Sequence, residues 1–154
     1  MASVARSDPL PAGDPPVGEP TVTPRIRAVL VALDELVAAR SWPGLGPVAV
    51  GHGTDAVLVR LPHRADPSLS LEVEVGEHRI SVRYPPEEVV FTSPDEAVRF
   101  VGMLGDGRVE LEVRRSAWTT MTSYRDGLAV PFRRTRMPWP TLRPRTERRR
   151  FGFG

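Results

Sequence analysis

Residues 69–84 read Leu-Ser-Leu-Glu-Val-Glu-Val-Gly-Glu-His-Arg-Ile-Ser-Val-Arg-Tyr, and this stretch settles the fold class. Leu69, Leu71, Val73 and Val75 alternate with Ser70, Glu72 and Glu74; beyond Gly76-Glu77, Ile80, Val82 and Tyr84 alternate with Arg79, Ser81 and Arg83. A period of two places one residue set on each face of a strand, and a Gly-X pair between two such runs is a hairpin signal. A turn at Gly76-Glu77 predicts that Glu74 faces Arg79 and that Glu72 lies diagonal to Arg79 and Arg83. The wet face then carries complementary charge and the other face is apolar.

On the N-terminal side the period changes. Thr23-Pro24 combines an N-cap with proline at the first helical position, where its missing N–H costs nothing. Ile26, Val29, Leu30, Leu33, Leu36 and Val37 then form a helical stripe that ends near Arg40, before Trp42-Pro43-Gly44. Short strands are predicted at residues 48–50 and 56–61, separated by Gly51-His52-Gly53. After Pro85-Pro86 a strand is expected at residues 89–92. Ser93-Pro94-Asp95-Glu96 then opens a second helix with a capping box, and Gly105-Asp106-Gly107 closes it. Val109, Leu111 and Val113 alternate with charged residues in a further strand, residues 118–124 form its antiparallel neighbour, and residues 128–132 are an expected edge strand weakened by Pro131.

The connections between strands are too short for crossover helices. The expected fold class is therefore α+β, a largely antiparallel sheet of about six to eight short strands with two helices on one face. Residues 1–20 hold five prolines and two glycines and are expected to be disordered. Residues 21–132 form the expected domain, and residues 133–154 an arginine-rich tail, disordered or docked.

All 21 basic residues are arginine, and lysine, asparagine, glutamine and cysteine are absent. Lysine and asparagine use AT-rich codons, so this pattern reads first as the codon bias of a GC-rich genome. Without cysteine the chain holds neither disulfides nor thiolate metal sites. The N-terminal residues lack the apolar run of a signal peptide, and residues 26–39 are interrupted by Arg27, Asp34 and Glu35, so a cytoplasmic protein without membrane contact is expected. The net charge of +2 conceals a division: residues 133–154 hold eight arginines against one glutamate, +7, and residues 1–132 hold 13 arginines against 18 acids, −5.

Few catalytic patterns survive inspection. Gly44-Leu45-Gly46-Pro47-Val48-Ala49 follows a helix and precedes a strand, the reverse of the order a dinucleotide fingerprint requires. No Walker A loop exists without lysine. His52, His63 and His78 are not spaced as a helical ligand pair, and neither metal nor cofactor is expected. His52 and Asp55 are the only catalytic candidates, an imidazole between glycines that a carboxylate three residues on could orient. Glu72/Glu74 and Glu110/Glu112 project side by side from a sheet face rather than across a scissile bond.

The C-terminal residues carry the one feature above background. Arg133, Arg134, Arg136, Arg143, Arg145, Arg148, Arg149 and Arg150 are interleaved with Trp139, Phe151 and Phe153, and guanidinium charge beside aromatic planes is the chemistry that holds phosphates and unstacked bases. Trp118 and Tyr124, an even number apart, share a sheet face. The expected function is a non-catalytic interaction module with a protein partner, of adaptor, chaperone-like or toxin-neutralising type. The alternative is an RNA- or DNA-associated protein that binds through these residues. An edge strand at residues 128–132 could also pair with a second chain.

Overall fold

The architecture is that of a computed structural model describing residues 22–136 and 143–154. The segment expected to be disordered, residues 1–20, and Trp139 with its flanking prolines lie outside the described residues. Helix α1 (Pro24–Arg40) starts where the sequence places it, with the Thr23 side chain accepting from the Ile26 N–H at 3.2 Å. It stops at Ser41, which still donates its N–H to the Val37 carbonyl while its left-handed φ of 48° turns the following chain out of the helix. Helix α2 (Pro94–Gly105) opens on Ser93, which accepts from the Glu96 N–H at 3.4 Å, and Asp95 and Glu96 sit at the positive end of its dipole.

Five strands, β1 (Ala49–His52), β2 (Ala56–Leu61), β3 (Leu71–Gly76), β4 (Ile80–Tyr84) and β5 (Glu87–Phe91), form an antiparallel meander in that order. One face supplies Val57, Val59, Leu61, Leu71, Val73, Val75, Ile80, Val82 and Tyr84 to the core, where Ile26, Val29 and Leu33 of α1 and Ala97, Phe100, Val101 and Leu104 of α2 meet them. Both helices therefore cover one face, as the pattern predicts.

The hairpin register differs from the expected one by two residues. Glu72 faces Arg83, Val73 faces Val82, Glu74 faces Ser81 and Val75 faces Ile80, which moves the turn to Glu77-His78. A shift of two keeps every side chain on its own face. It replaces a Val75–His78 pairing with Val75–Ile80, so the apolar pairs are complete to the end of the strand. Arg83 consequently sits among three carboxylates, at 3.0 Å from Glu74, 3.3 Å from Glu88 and 3.8 Å from Glu72.

The remaining strands form a second sheet instead of extending the first. Strands β6 (Val109–Arg115), β7 (Trp118–Arg125), β8 (Leu128–Arg136) and β9 (Arg145–Phe151) lie in the order β8-β7-β6-β9, all antiparallel. The described chain thus has two sheets and nine strands, and the ordered domain continues past Phe132. Residues 133–136 lengthen β8 beyond a bulge at Met121/Thr122, and β9 pairs with β6 along its whole length. Pro131 is tolerated because β8 is an edge strand and the proline falls at that bulge.

The C-terminus closes the core. Phe151 is fully buried edge-on against Tyr84 of β4, with ring centroids 5.1 Å apart. Phe153 is 1% exposed and packs on Trp42 at 5.4 Å and His63 at 5.8 Å. Its backbone donates to the Gly105 carbonyl at 2.9 Å and accepts from the Gly44 N–H at 2.6 Å. A Cβ at Gly44 would lie 2.8 Å from the Phe153 carbonyl oxygen, so this approach requires glycine. The end of the chain joins the second sheet to the loops of the first.

The two sheets also divide the charge. Residues 108–154, which supply the second sheet, hold 12 arginines against four acids, +8. Residues 1–107 hold nine arginines against 15 acids, −6.

Candidate functional site

Antiparallel register assigns each residue of the second sheet to a face. Val109, Leu111, Met121, Ser123 and Phe151 point inward and are buried. The opposite, outer face carries Arg134 and Arg136 from β8, Trp118, Thr120, Thr122 and Tyr124 from β7, Glu110, Glu112 and Arg114 from β6, and Thr146, Arg148 and Arg150 from β9. Five arginines and two glutamates share one platform, and Ala129 of β8 adds a small aliphatic side chain opposite Tyr124.

Charge is distributed unevenly across that platform. Arg148 is consumed by Glu112 at 2.7 Å and Glu110 at 3.8 Å, and these carboxylates hold its guanidinium pKa above the ordinary arginine value. Arg150 donates to the Gly107 carbonyl at 2.6 Å, and beside it Arg108 clasps Asp126 through two bonds of 2.5 and 2.9 Å. This end is close to neutral. At the other end Arg114, Arg134 and Arg136 form no ion pair among the described residues. The register explains why: Arg114 faces Thr120 and Thr146, Arg134 faces Thr120, and Arg136 faces Trp118, so no acid is within cross-strand reach. Strand spacing puts Arg114 and Arg134 about 10 Å apart across Thr120.

Trp118 lies at the centre of this cationic end and is 39% exposed. The Arg134 guanidinium stacks over its ring at 4.6 Å, a cation–π contact that fixes both planes. By contrast, the wet face of the first sheet is matched internally, Arg60 pairing with Glu72 at 3.1 Å and Arg83 with Glu72, Glu74 and Glu88. Arginines there already have partners.

The remaining predicted residues separate into distinct places. Arg133, Arg145 and Arg149 point to the inner side of the sheet. Arg133 lies 3.9 Å from Glu87, and Arg149 donates to the Pro85 carbonyl at 3.3 Å. Arg149 also borders a groove of about 510 Å³ between Pro85-Pro86 and the Leu111, Val113 and Met121 side chains. Arg143 is exposed just before β9. Phe151 and Phe153 leave the candidate contact set, because core burial takes the surface a ligand would need. Arg114 lies outside the arginine-rich C-terminal segment that composition singles out. Its position between Glu112 and Arg115 looks like one more polar strand residue until β9 and β7 are placed on either side.

His52 ends β1 and Asp55 lies in the β1–β2 connection; both are exposed, and no hydrogen bond joins them. His63 Nδ1 instead accepts from the Ala65 and Asp66 N–H groups at 3.2 and 3.0 Å, a loop-stabilising role. No cluster of three histidine, aspartate or glutamate side chains among the described residues is placed to share a metal ion. No helix among the described residues is long and apolar enough to cross a membrane. No family model matches the sequence, and neither the curated proteins nor the solved structures contain a match.

Proposed function

We propose that this protein is a non-catalytic interaction module, of adaptor, chaperone-like or toxin-neutralising type, that docks a polyanionic partner on the outer face of its second sheet. The observation that carries this reading is the set of three arginines, Arg114, Arg134 and Arg136, that surround Trp118 without an acidic partner among the described residues. Unpaired guanidinium groups held on a rigid sheet attract anions and present planar donors to carboxylates and phosphates. The acidic first sheet repels the same partner, which gives the encounter a direction.

Retention on immobilised heparin, a generic polyanion, tests this. Wild type is expected to elute well above about 0.15 M salt, a concentration at which exposed charges act over about 8 Å. The triple variant Arg114→Glu/Arg134→Glu/Arg136→Glu should elute far earlier. Arg27→Glu/Arg79→Glu/Arg99→Glu makes the same change in net charge at exposed positions away from the platform and should elute close to wild type. Equal elution of the two variants would show that only total charge matters and would end this reading.

A further inference from the structure

We infer that the partner of this platform is a single-stranded nucleic acid, which engages Trp118 by base stacking and Arg114, Arg134 and Arg136 through its phosphates. This rests on the interaction-module reading and names the partner class. Two features of the outer face select nucleic acid over an acidic protein surface. The first is how little aliphatic surface surrounds Trp118: arginine, threonine, glutamate and the aromatics Trp118 and Tyr124 build the face, and Ala129 lies at its far end opposite Tyr124. The centre of a protein interface is a fully desolvated, closely packed patch in which aromatic and arginine anchors are ringed by contacts that exclude water. Here charge and hydroxyls surround one half-exposed indole.

The second feature is geometry. Trp118 and Tyr124 lie on the same face of β7, six residues and so about 20 Å apart, a reach of several nucleotides of extended strand. Arg134 is stacked on the indole at 4.6 Å, and a guanidinium plane is itself a surface on which bases stack. Arg136 directly faces Trp118, while Arg114 and Arg134 flank Thr120 on either side, so cations border the aromatic on two strands. An open sheet with an aromatic platform accepts unpaired bases, because a duplex presents its bases already stacked. Glu110 and Glu112 lie toward Tyr124, matched by Arg148, and they confine the phosphate-binding end to Trp118.

Fluorescence anisotropy of a labelled 12-nucleotide oligothymidylate against the full chain tests the inference. Wild type is expected to bind with log affinity falling against log salt at a slope of about −2, from three phosphate contacts on a single strand. Trp118→Ala should weaken binding about tenfold and leave that slope unchanged, as loss of one stacked base predicts. Arg114→Ala/Arg134→Ala/Arg136→Ala should bring the slope toward zero. A duplex of the same length should compete poorly.

Absence of oligonucleotide binding, or binding indifferent to Trp118→Ala, overturns the inference. If heparin retention still depends on Arg114, Arg134 and Arg136 in that case, the partner is an acidic protein and the module reading survives. If heparin retention does not depend on them either, both fail. Far-UV circular dichroism of each variant confirms that the exposed substitutions leave the fold intact.

Discussion

The indole of Trp42 occupies the place where a side chain at Gly105 would stand: a Cβ on Gly105 would overlap the Trp42 ring atoms Cζ2, Cη2 and Cε2. Gly105 ends α2, and Trp42 follows α1, so this contact sets how closely the two helix ends approach. The indole Nε1 also donates to Asp106 Oδ1 at 2.9 Å, which satisfies its only polar atom. Gly105→Ala has no flexible neighbour to displace. It should destabilise the protein by about 1–3 kcal/mol, measured as a lower midpoint in urea with an unchanged m-value.

Phe153 is the second packing test. Its ring lies against Trp42 and His63, and its backbone bonds bridge Gly44 and Gly105. Phe153→Ala should cost about 3–5 kcal/mol by leaving a cavity in a site held by backbone hydrogen bonds. A chain ending after Phe132 loses β9, Phe151 and Phe153 together. It should therefore show no cooperative thermal transition, which differential scanning calorimetry would check.

Glu87 makes a pH-dependent prediction. Its carboxylate is 8% exposed, Oε1 has no hydrogen bond, and the nearest cation is Arg133 at 3.9 Å. Burial pushes its pKa above the ordinary 4.5, and Arg133 only partly opposes that. The folded state therefore holds this proton more tightly than the unfolded chain. Below the ordinary value the group is neutral in both states and costs nothing; as pH rises through and beyond it, the ionised carboxylate lowers stability. Glu87→Gln should raise the melting temperature at pH 7 and gain little at pH 4. An equal shift at both pH values would exclude this ionisation as the cause.

Arg83 offers a contrast at the surface. It is close to Glu72, Glu74 and Glu88, and Ser81 also donates to Glu88; that hydroxyl, followed by Arg83, holds the Glu88 carboxyl below its ordinary pKa despite some desolvation. These groups are substantially exposed, so screening limits their worth. Arg83→Ala should cost no more than about 1 kcal/mol at low salt, and the cost should shrink in 1 M sodium chloride. A larger loss that persists in salt would mean that the aliphatic stem of Arg83 contributes by packing.

The helices were legible because their signals are local. Thr23-Pro24 and Ser93-Pro94 mark two N-termini by hydrogen bonds that reach three residues along the chain, and both form as written. The faces of β3 and β4 were legible because a period of two assigns them whatever the register. Register was harder, since a slip of two preserves those faces and only the pairing of Val75 with Ile80 decides it.

By itself the sequence determined the α+β class, the antiparallel habit of the strands, the faces they bury and the segregation of arginine toward the C-terminus. Each follows from spacing or composition within a short window. Tertiary structure alone decided that the strands part into two sheets, that the last residues return as β9 beside β6, and that Phe151 and Phe153 close the core. It also decided which arginines lack acidic neighbours. Arg114 and Arg148 belong to the same chemistry, yet Arg148 meets Glu112 across the β6–β9 ladder while Arg114 meets only threonines. Along the β6–β9 ladder such neighbours are set by pairing between residues 30 or more positions apart, which no local pattern encodes.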